Sequence, residues 1–299
     1  MDGMRKEKES IMSKKKSEKK KKFNPWTLIF IILFVGGLGV LLYPTMCDWY
    51  YKLTAQKEVK QYERVLESKE KDFSELWKAA EEYNKGLLTR PCALTSAKEE
   101  AEKVKDLLNP LGNGMMGYIT IPTINVKLPV YQGTEEKELQ SGAGYWLGSS
   151  LPTGGKGTHC IITAHTGLVK AKMFTDVDKL VKGDTFTLSI LDRELTYEVD
   201  SILVTKPEEM EALLIDPNED YVTLYTCTPY GINTHRLLVR GHRIENEEPP
   251  VSGVEQIVDK VIETGKNHYL IILICTVLVL KAAFITIIVV KKKRRKGCK

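Results

Sequence analysis

Two apolar runs lie near the ends of the chain, Thr27 to Tyr43 and Tyr269 to Val290, the second interrupted by Lys281. Between them the pattern changes twice. From Asp48 to about Gly86, apolar residues recur every three or four positions: Val59, Tyr62, Leu66, Phe73, Leu76, Ala80 and Tyr83. That period predicts an amphipathic helix. Its stripe either packs against its own domain or pairs as a short coiled coil. An irregular segment, Leu87 to Leu94, precedes a second charged helix over about Ser96 to Leu108. Ser96 with Glu99 makes a capping box, and the breakers Asn109 to Gly114 end the helix.

From Gly117 the pattern becomes one of strands. Short β runs cover Tyr118–Pro122, Val126–Val130 and His159–Ala164. Asp184–Ile190 and Glu194–Thr205 alternate, with Leu191-Asp192-Arg193 as the hairpin between them. Tyr221–Thr226 and Arg236–Arg240 complete the set. Pro122, Pro129, Pro152 and Pro229 are expected at strand ends, where a missing N–H does least harm. Many short strands and few helices imply a mainly β domain, a closed barrel or a sandwich.

Charge sharpens the reading of the ends. Residues 1–26 hold ten Lys/Arg against four Asp/Glu, and residues 269–299 hold eight Lys/Arg and no acid. The folded middle is mildly acidic, which argues against a nucleic-acid binder. Thr27–Tyr43 carries no charge and is just long enough to span a bilayer. A cleaved signal peptide has the same general plan, but Tyr43-Pro44-Thr45-Met46-Cys47 offers no small-x-small cleavage site. With Lys291 to Lys296 following the second run, the positive-inside rule places both basic tails in the cytoplasm and residues 48–266 outside. Lys281 is expected to snorkel or to contact the first helix.

The expected organisation is a basic tail (1–26), a transmembrane helix (27–43) and an extracellular helical, lid-like region (48–114). A β domain (115–247), a linker (248–268), a second transmembrane helix (269–290) and a basic tail (291–299) follow.

Of six cysteines, Cys47, Cys275 and Cys298 fall at or beyond the spans, leaving Cys92, Cys160 and Cys227 outside. An odd extracellular number points to a free thiol. No CxxC or HExxH occurs, so no structural zinc site is expected. A thiol nucleophile needs thiolate character, a proton partner and stabilisation of an oxyanion. Cys227 ends one β run and His165 another, and Arg236 opens the run after Cys227. A nearby imidazolium lowers a thiol's pKa, and a guanidinium suits a tetrahedral oxyanion. Each residue also has an ordinary reading as a core thiol, a capping His or a surface Arg. Thr226 and Tyr230 flank the nucleophile and are candidates for lining a substrate groove. His159 and Cys160 adjoin on one strand and should face opposite ways. His235 and His242 read as surface strand residues.

Thr223-Leu224-Tyr225-Thr226-Cys227 resembles the TLxTC signature of sortases. The longer string Thr223 to Arg243, TLYTCTPYGINTHRLLVRGHR, is similar to the class C, pilus-assembling members. So are Gly117-Tyr118-Ile119 with Ile121-Pro122, and Ser150-Leu151-Pro152 with Thr163-Ala164-His165. The resemblance covers roughly residues 48–290.

The resemblance implies a closed eight-stranded barrel with added N-terminal helices, flanked by two transmembrane helices. It implies a cysteine transpeptidase that cleaves an LPXTG-like sorting signal at Thr–Gly through a thioacyl enzyme. The acyl group then passes to a pilin Lys amine, or alternatively to cell-wall peptidoglycan; a third reading is a barrel that only binds sorting signals. The partners are LPXTG-bearing pilin or surface proteins and a Gram-positive membrane, with no metal or organic cofactor. By motif position Cys227, His165 and Arg236 take the catalytic places. Class C members usually carry an Asp-Pro-aromatic lid, and this chain has Arg90-Pro91-Cys92 instead. Pro91 and Cys92 are the lid candidates: Cys92 either pairs with Cys227 under oxidation or is inert. Thr166 follows His165 where many relatives carry Arg.

Overall fold

The computed structural model describes residues 25–67, 72–89, 97–168 and 171–245. The second apolar run, Lys281, Pro91, Cys92 and Ser96 lie outside the described residues. Eight strands close a barrel: β1 Met115–Ile121, β2 Val126–Gln132, β3 Ala143–Tyr145, β4 Thr158–Thr163, β5 Thr185–Ile190, β6 Arg193–Thr205, β7 Asp220–Thr228 and β8 His235–Arg243. Around the barrel the order is β1-β2-β3-β4-β7-β8-β6-β5. Four helices are added: α1 Pro25–Glu67, α2 Ser74–Leu87, α3 Ala97–Val104 and α4 Glu136–Ser141.

The seven expected strands are present, and β3 and α4 are additional. β3 is only three residues long, too short to show a period, and α4 is a six-residue helix. Pro129 lies inside β2 rather than at its end, paired with Tyr118. It is tolerated because β3 joins β2 only from Val130 onward, so β2 has one neighbour at that point. The β5–β6 hairpin turns at Leu191-Asp192. Leu191 takes φ 48, a costly value for a branched side chain, and its N–H donates to Tyr62 Oη at 2.8 Å.

Inside the barrel Ile119, Leu128, Ile162, Leu188, Tyr197, Val222, Leu224 and Val239 pack together. Alternation along β6 is broken by a bulge between Val199 and Ser201. The extra residue, Asp200, receives two hydrogen bonds from Arg240, at 2.8 and 3.0 Å.

The predicted helix from Asp48 to Gly86 is two helices. Its first part is continuous with the predicted span, giving one 43-residue helix with Pro44 inside it. A proline there removes one backbone bond without ending the helix. The apolar stripe is spent within the chain. Val59 and Tyr62 pack on Met115, and Tyr62 Oη donates to Met116 O at 2.7 Å. Phe73, Ala80 and Tyr83 join the barrel's core cluster, as does Trp77, which lies off the predicted stripe. Trp77 donates to Asp192 at 2.7 Å, on the β5–β6 turn. Buried Asn84 ties α2 to the loop before β4: it donates to Leu151 O and Thr153 Oγ1 and accepts from Leu151 N–H. α3 stops at Val104, short of the expected Leu108. Gln132 donates to Val104 O and Leu107 O and so satisfies the carbonyls the helix leaves open.

His159 and Cys160 face opposite ways on β4, as the strand period requires. Cys160 is in the barrel core. His159 lies on the outer side, its Nδ1 2.9 Å from Leu214 O and its Nε2 2.7 Å from Thr223 Oγ1. A neutral ring satisfies both contacts, donating at Nδ1 and accepting at Nε2, and burial holds its pKa below the usual histidine value.

Two predictions follow from this packing. Asn84→Ala leaves the buried Leu151 N–H unpaired, while Leu151 O keeps the Thr153 N–H, and should cost roughly 1–3 kcal/mol in a denaturant titration. A loss under roughly 0.5 kcal/mol would mean that α2 does not depend on this tie. Because His159 is neutral in the fold, stability is full above its unfolded pKa of about 6.5 and is lost as pH falls. Thermal melts from pH 7 to pH 5 should therefore fall more steeply for the native chain than for His159→Asn. Parallel pH profiles would contradict this assignment.

Candidate active site

The site is set by two parallel strands. β4 and β7 run side by side with one register from Thr158↔Asp220 to Thr163↔Tyr225. Ala164 N–H extends the ladder to Tyr225 O at 3.4 Å. Two residues past Thr163 is His165, and two past Tyr225 is Cys227, so the same register sets them level. On the other side of β7, antiparallel β8 pairs Arg236 directly with Cys227. His165, Cys227 and Arg236 therefore form a row across three neighbouring strands, about 4.8 Å apart per step.

All three occupy outward positions. Along β7 the inward set is Val222 and Leu224; along β4, Cys160, Ile162 and Ala164; along β8, Leu237 and Val239. The alternate positions face out, where Ile161, Tyr225 and Leu238 pack with Leu213 from the β6–β7 connection. Trp146 meets Tyr225 edge-on at 4.9 Å. These side chains form the apolar floor on which the row ends.

Cys227 is half-buried with a free thiol. Cys160 is 2% exposed inside the barrel, and burial pushes its thiol well above the usual range, so it is no rival nucleophile. His165 is half-buried too; its backbone oxygen accepts from Phe174 N–H at 3.1 Å. Its Nε2 lies 3.6 Å from Glu136 Oε2 on α4 and has no hydrogen-bond partner. Arg236 Nη1 donates to Asn233 O and His235 O, both at 3.0 Å. Burial raises the pKa of the Tyr225 hydroxyl, and the Arg236 cation opposes that rise. The β7–β8 loop and the start of β8 thus hold one edge of the guanidinium.

Thr226 is 2% exposed and faces inward, donating to Ala164 O at 2.7 Å and sharing a 2.6 Å contact with Thr166 Oγ1. It braces the end of β7 against the end of β4. Thr166 also reaches Phe174 O at 3.4 Å. Tyr230, 65% exposed, lies over Gly167. Gly167 has φ 81, and a Cβ there would sit 3.3–3.5 Å from the Tyr230 ring. Glycine therefore permits both the turn after His165 and the closeness of the β7–β8 loop. Sequence reasoning did not single out Glu136 or Tyr225. Tyr225 stood in the quoted signature, and its parity with Cys227 was a usable signal; Glu136 reaches the site only through the fold.

A cavity of about 570 Å³ opens elsewhere, lined among others by Asn84, Thr153, Arg193, Asp220 and Arg243. It lies at the N-terminal ends of β4 and β7 and contains none of the row. Burial raises the Asp220 pKa, and its carboxylate accepts from Gly155 N–H, Thr158 and Tyr197, which makes it a structural group. Among the described residues no group of three or more His, Cys, Asp or Glu side chains is arranged to hold a metal ion.

A family model for the sortase domain matches residues 119–244. The crystal structure of sortase C1 from Streptococcus agalactiae is 45% identical, covering 64% of this chain and 100% of that one, with a TM-score of 0.62. Sortase C from Streptococcus pneumoniae is 41% identical over 63% of this chain and 97% of its own, with a TM-score of 0.56. Sortase A of Bacillus anthracis is 28% identical over 216 residues, 72% of this chain and 93% of the relative. With a closed eight-stranded barrel and a half-buried thiol on its outer face, the chain belongs to the sortase family of cysteine transpeptidases.

Proposed function

We propose that Cys227 is the nucleophile, His165 the proton carrier and Arg236 the oxyanion stabiliser of a sortase that polymerises pilin subunits. The reading rests chiefly on the alignment of these residues across β4, β7 and β8 on one face. The Cys227 sulfur attacks the threonine carbonyl of an LPXTG-like signal. The oxyanion is held by Arg236, whose donors are fixed before the charge develops. The Thr–Gly C–N bond breaks, and His165 gives its proton to the leaving amine. A lysine amine then attacks the thioester, His165 takes the proton back, and the Cys227 thiolate leaves as the isopeptide bond forms. Thr226 serves this chemistry by holding the strand ends together, and Tyr230 flanks the groove.

A lysine on a pilin is the acceptor favoured here, because the similar solved structures include a Streptococcus pneumoniae sortase C studied for pilin substrate specificity and a sortase C1 of GBS Pilus Island 1. Transfer to peptidoglycan uses the same acyl enzyme and differs only in the amine. In this reading α1, which is long and apolar enough to cross a membrane, anchors the chain in one with the barrel outside. Both tails are cytoplasmic in this reading.

Incubating the full chain in detergent with an LPXTG-type peptide should add one acyl mass, removable by hydroxylamine, and Cys227→Ala should abolish it while keeping the native far-UV spectrum. An adduct that persists in Cys227→Ala would overturn the assignment. Arg236→Lys keeps the charge but loses the planar fork; acyl transfer should slow by about 10²–10³. A rate within about twofold of native, well short of the loss expected for an oxyanion donor, would remove Arg236 from that role.

A further inference from the structure

The helix that carries the apolar run is the same helix that grips the barrel. α1 is continuous from Pro25 to Glu67. Its exposed apolar side chains continue past Tyr43 through Met46, Trp49 and Tyr50. Tyr and Trp at such a position mark a membrane–water interface. The first barrel contacts come at once. Asp48 Oδ1 accepts from Lys172 N–H at 2.9 Å, and Tyr51 Oη donates to Ser141 O at 2.9 Å.

Both contacts fall at the end of the barrel that bears the row. Lys172 is two residues before Phe174, whose N–H bonds the His165 carbonyl. Ser141 ends α4, the helix of Glu136, and is followed by β3, whose Gly144 pairs with Thr163. From Tyr43 to Asp48 is five residues, about 7.5 Å of helix rise. The headgroup layer on each side of a bilayer is about 5–7 Å thick.

We propose that the rim carrying His165, Cys227 and Arg236 is held against the lipid headgroups, with α1 as a rigid strut that sets its height. The partner of this surface is the phospholipid bilayer itself. Tyr43, Met46, Trp49 and Tyr50 sit in the interfacial zone, and the barrel end with the Thr153–Thr158 loop points away from it. The strut then acts on substrate choice. A cleavage segment lying within roughly a headgroup layer of its own membrane anchor is in reach, and one held rigidly farther out is not. The proposal rests on α1 being a membrane span and does not depend on the acyl chemistry.

The test uses the full chain in phospholipid vesicles. A fluorescent non-natural residue replaces either Lys172, at the rim, or Lys156, in the loop before β4, on the order of 20–30 Å away along the strands. Headgroup-linked quenchers should quench the residue at 172 several-fold more than that at 156. Equal quenching, or stronger quenching at 156, would overturn the proposal, as would a chain that fails to partition into vesicles, which would remove the span itself. As a second measurement, seven helical residues inserted between Cys47 and Asp48 lift the barrel about 10 Å with its face nearly unrotated. The variant should be acylated by a soluble peptide at the native rate. A peptide tethered close to the vesicle surface should react several-fold more slowly. Unchanged reaction with the tethered peptide would contradict the strut. Loss of reaction with the soluble peptide by the native chain would fault the proposed chemistry instead.

Discussion

The parallel pairing of β4 with β7 is the constraint on which the site depends. Antiparallel neighbours would send the end of β4 and the end of β7 to opposite rims, and His165 would lie a strand's length from Cys227. Parallel pairing in one unbroken register brings both ends to one rim and to one level. β8, returning antiparallel from a short loop, then adds Arg236 beside the sulfur without further design. Such pairing needs a long crossover; here β5 and β6 provide it on the far side of the barrel.

The two faces of these strands do different work. The inner face supplies the tightly packed core, including Cys160, whose thiol pKa is raised by burial. The outer face carries the proposed row of His165, Cys227 and Arg236 over an apolar floor of Ile161, Tyr225 and Leu238, covered by Leu213 from the β6–β7 connection. Thr226, on the inner face, links the two because its hydrogen bond to Ala164 O fixes the strand ends that present Cys227 and His165.

Much of this was legible in the sequence. The two-residue period marked seven strands, and the three-to-four period marked Val59, Tyr62, Ala80 and Tyr83 as a docking face. The signature around Cys227 led to the barrel and to the row. What could not be read was set by tertiary contacts. β3 is too short to carry a period, and Pro129 is tolerated in mid-strand only because its neighbour begins one residue later. The joining of the span to the docking helix through Pro44 depends on the rest of the helix compensating for one lost bond. Glu136 lies 29 residues from His165, and only the β2–β3–β4 arrangement brings them together.

The central claim is that His165, Cys227 and Arg236 work as one unit. A double-mutant cycle on the acylation rate tests it most directly, with His165→Ala, Arg236→Ala and the pair measured on one soluble peptide. For a single cooperating constellation the losses are strongly non-additive, so the double variant should be little slower than the slower single one. Losses that multiply would mean that the two residues act independently of each other, contradicting the row as the working site.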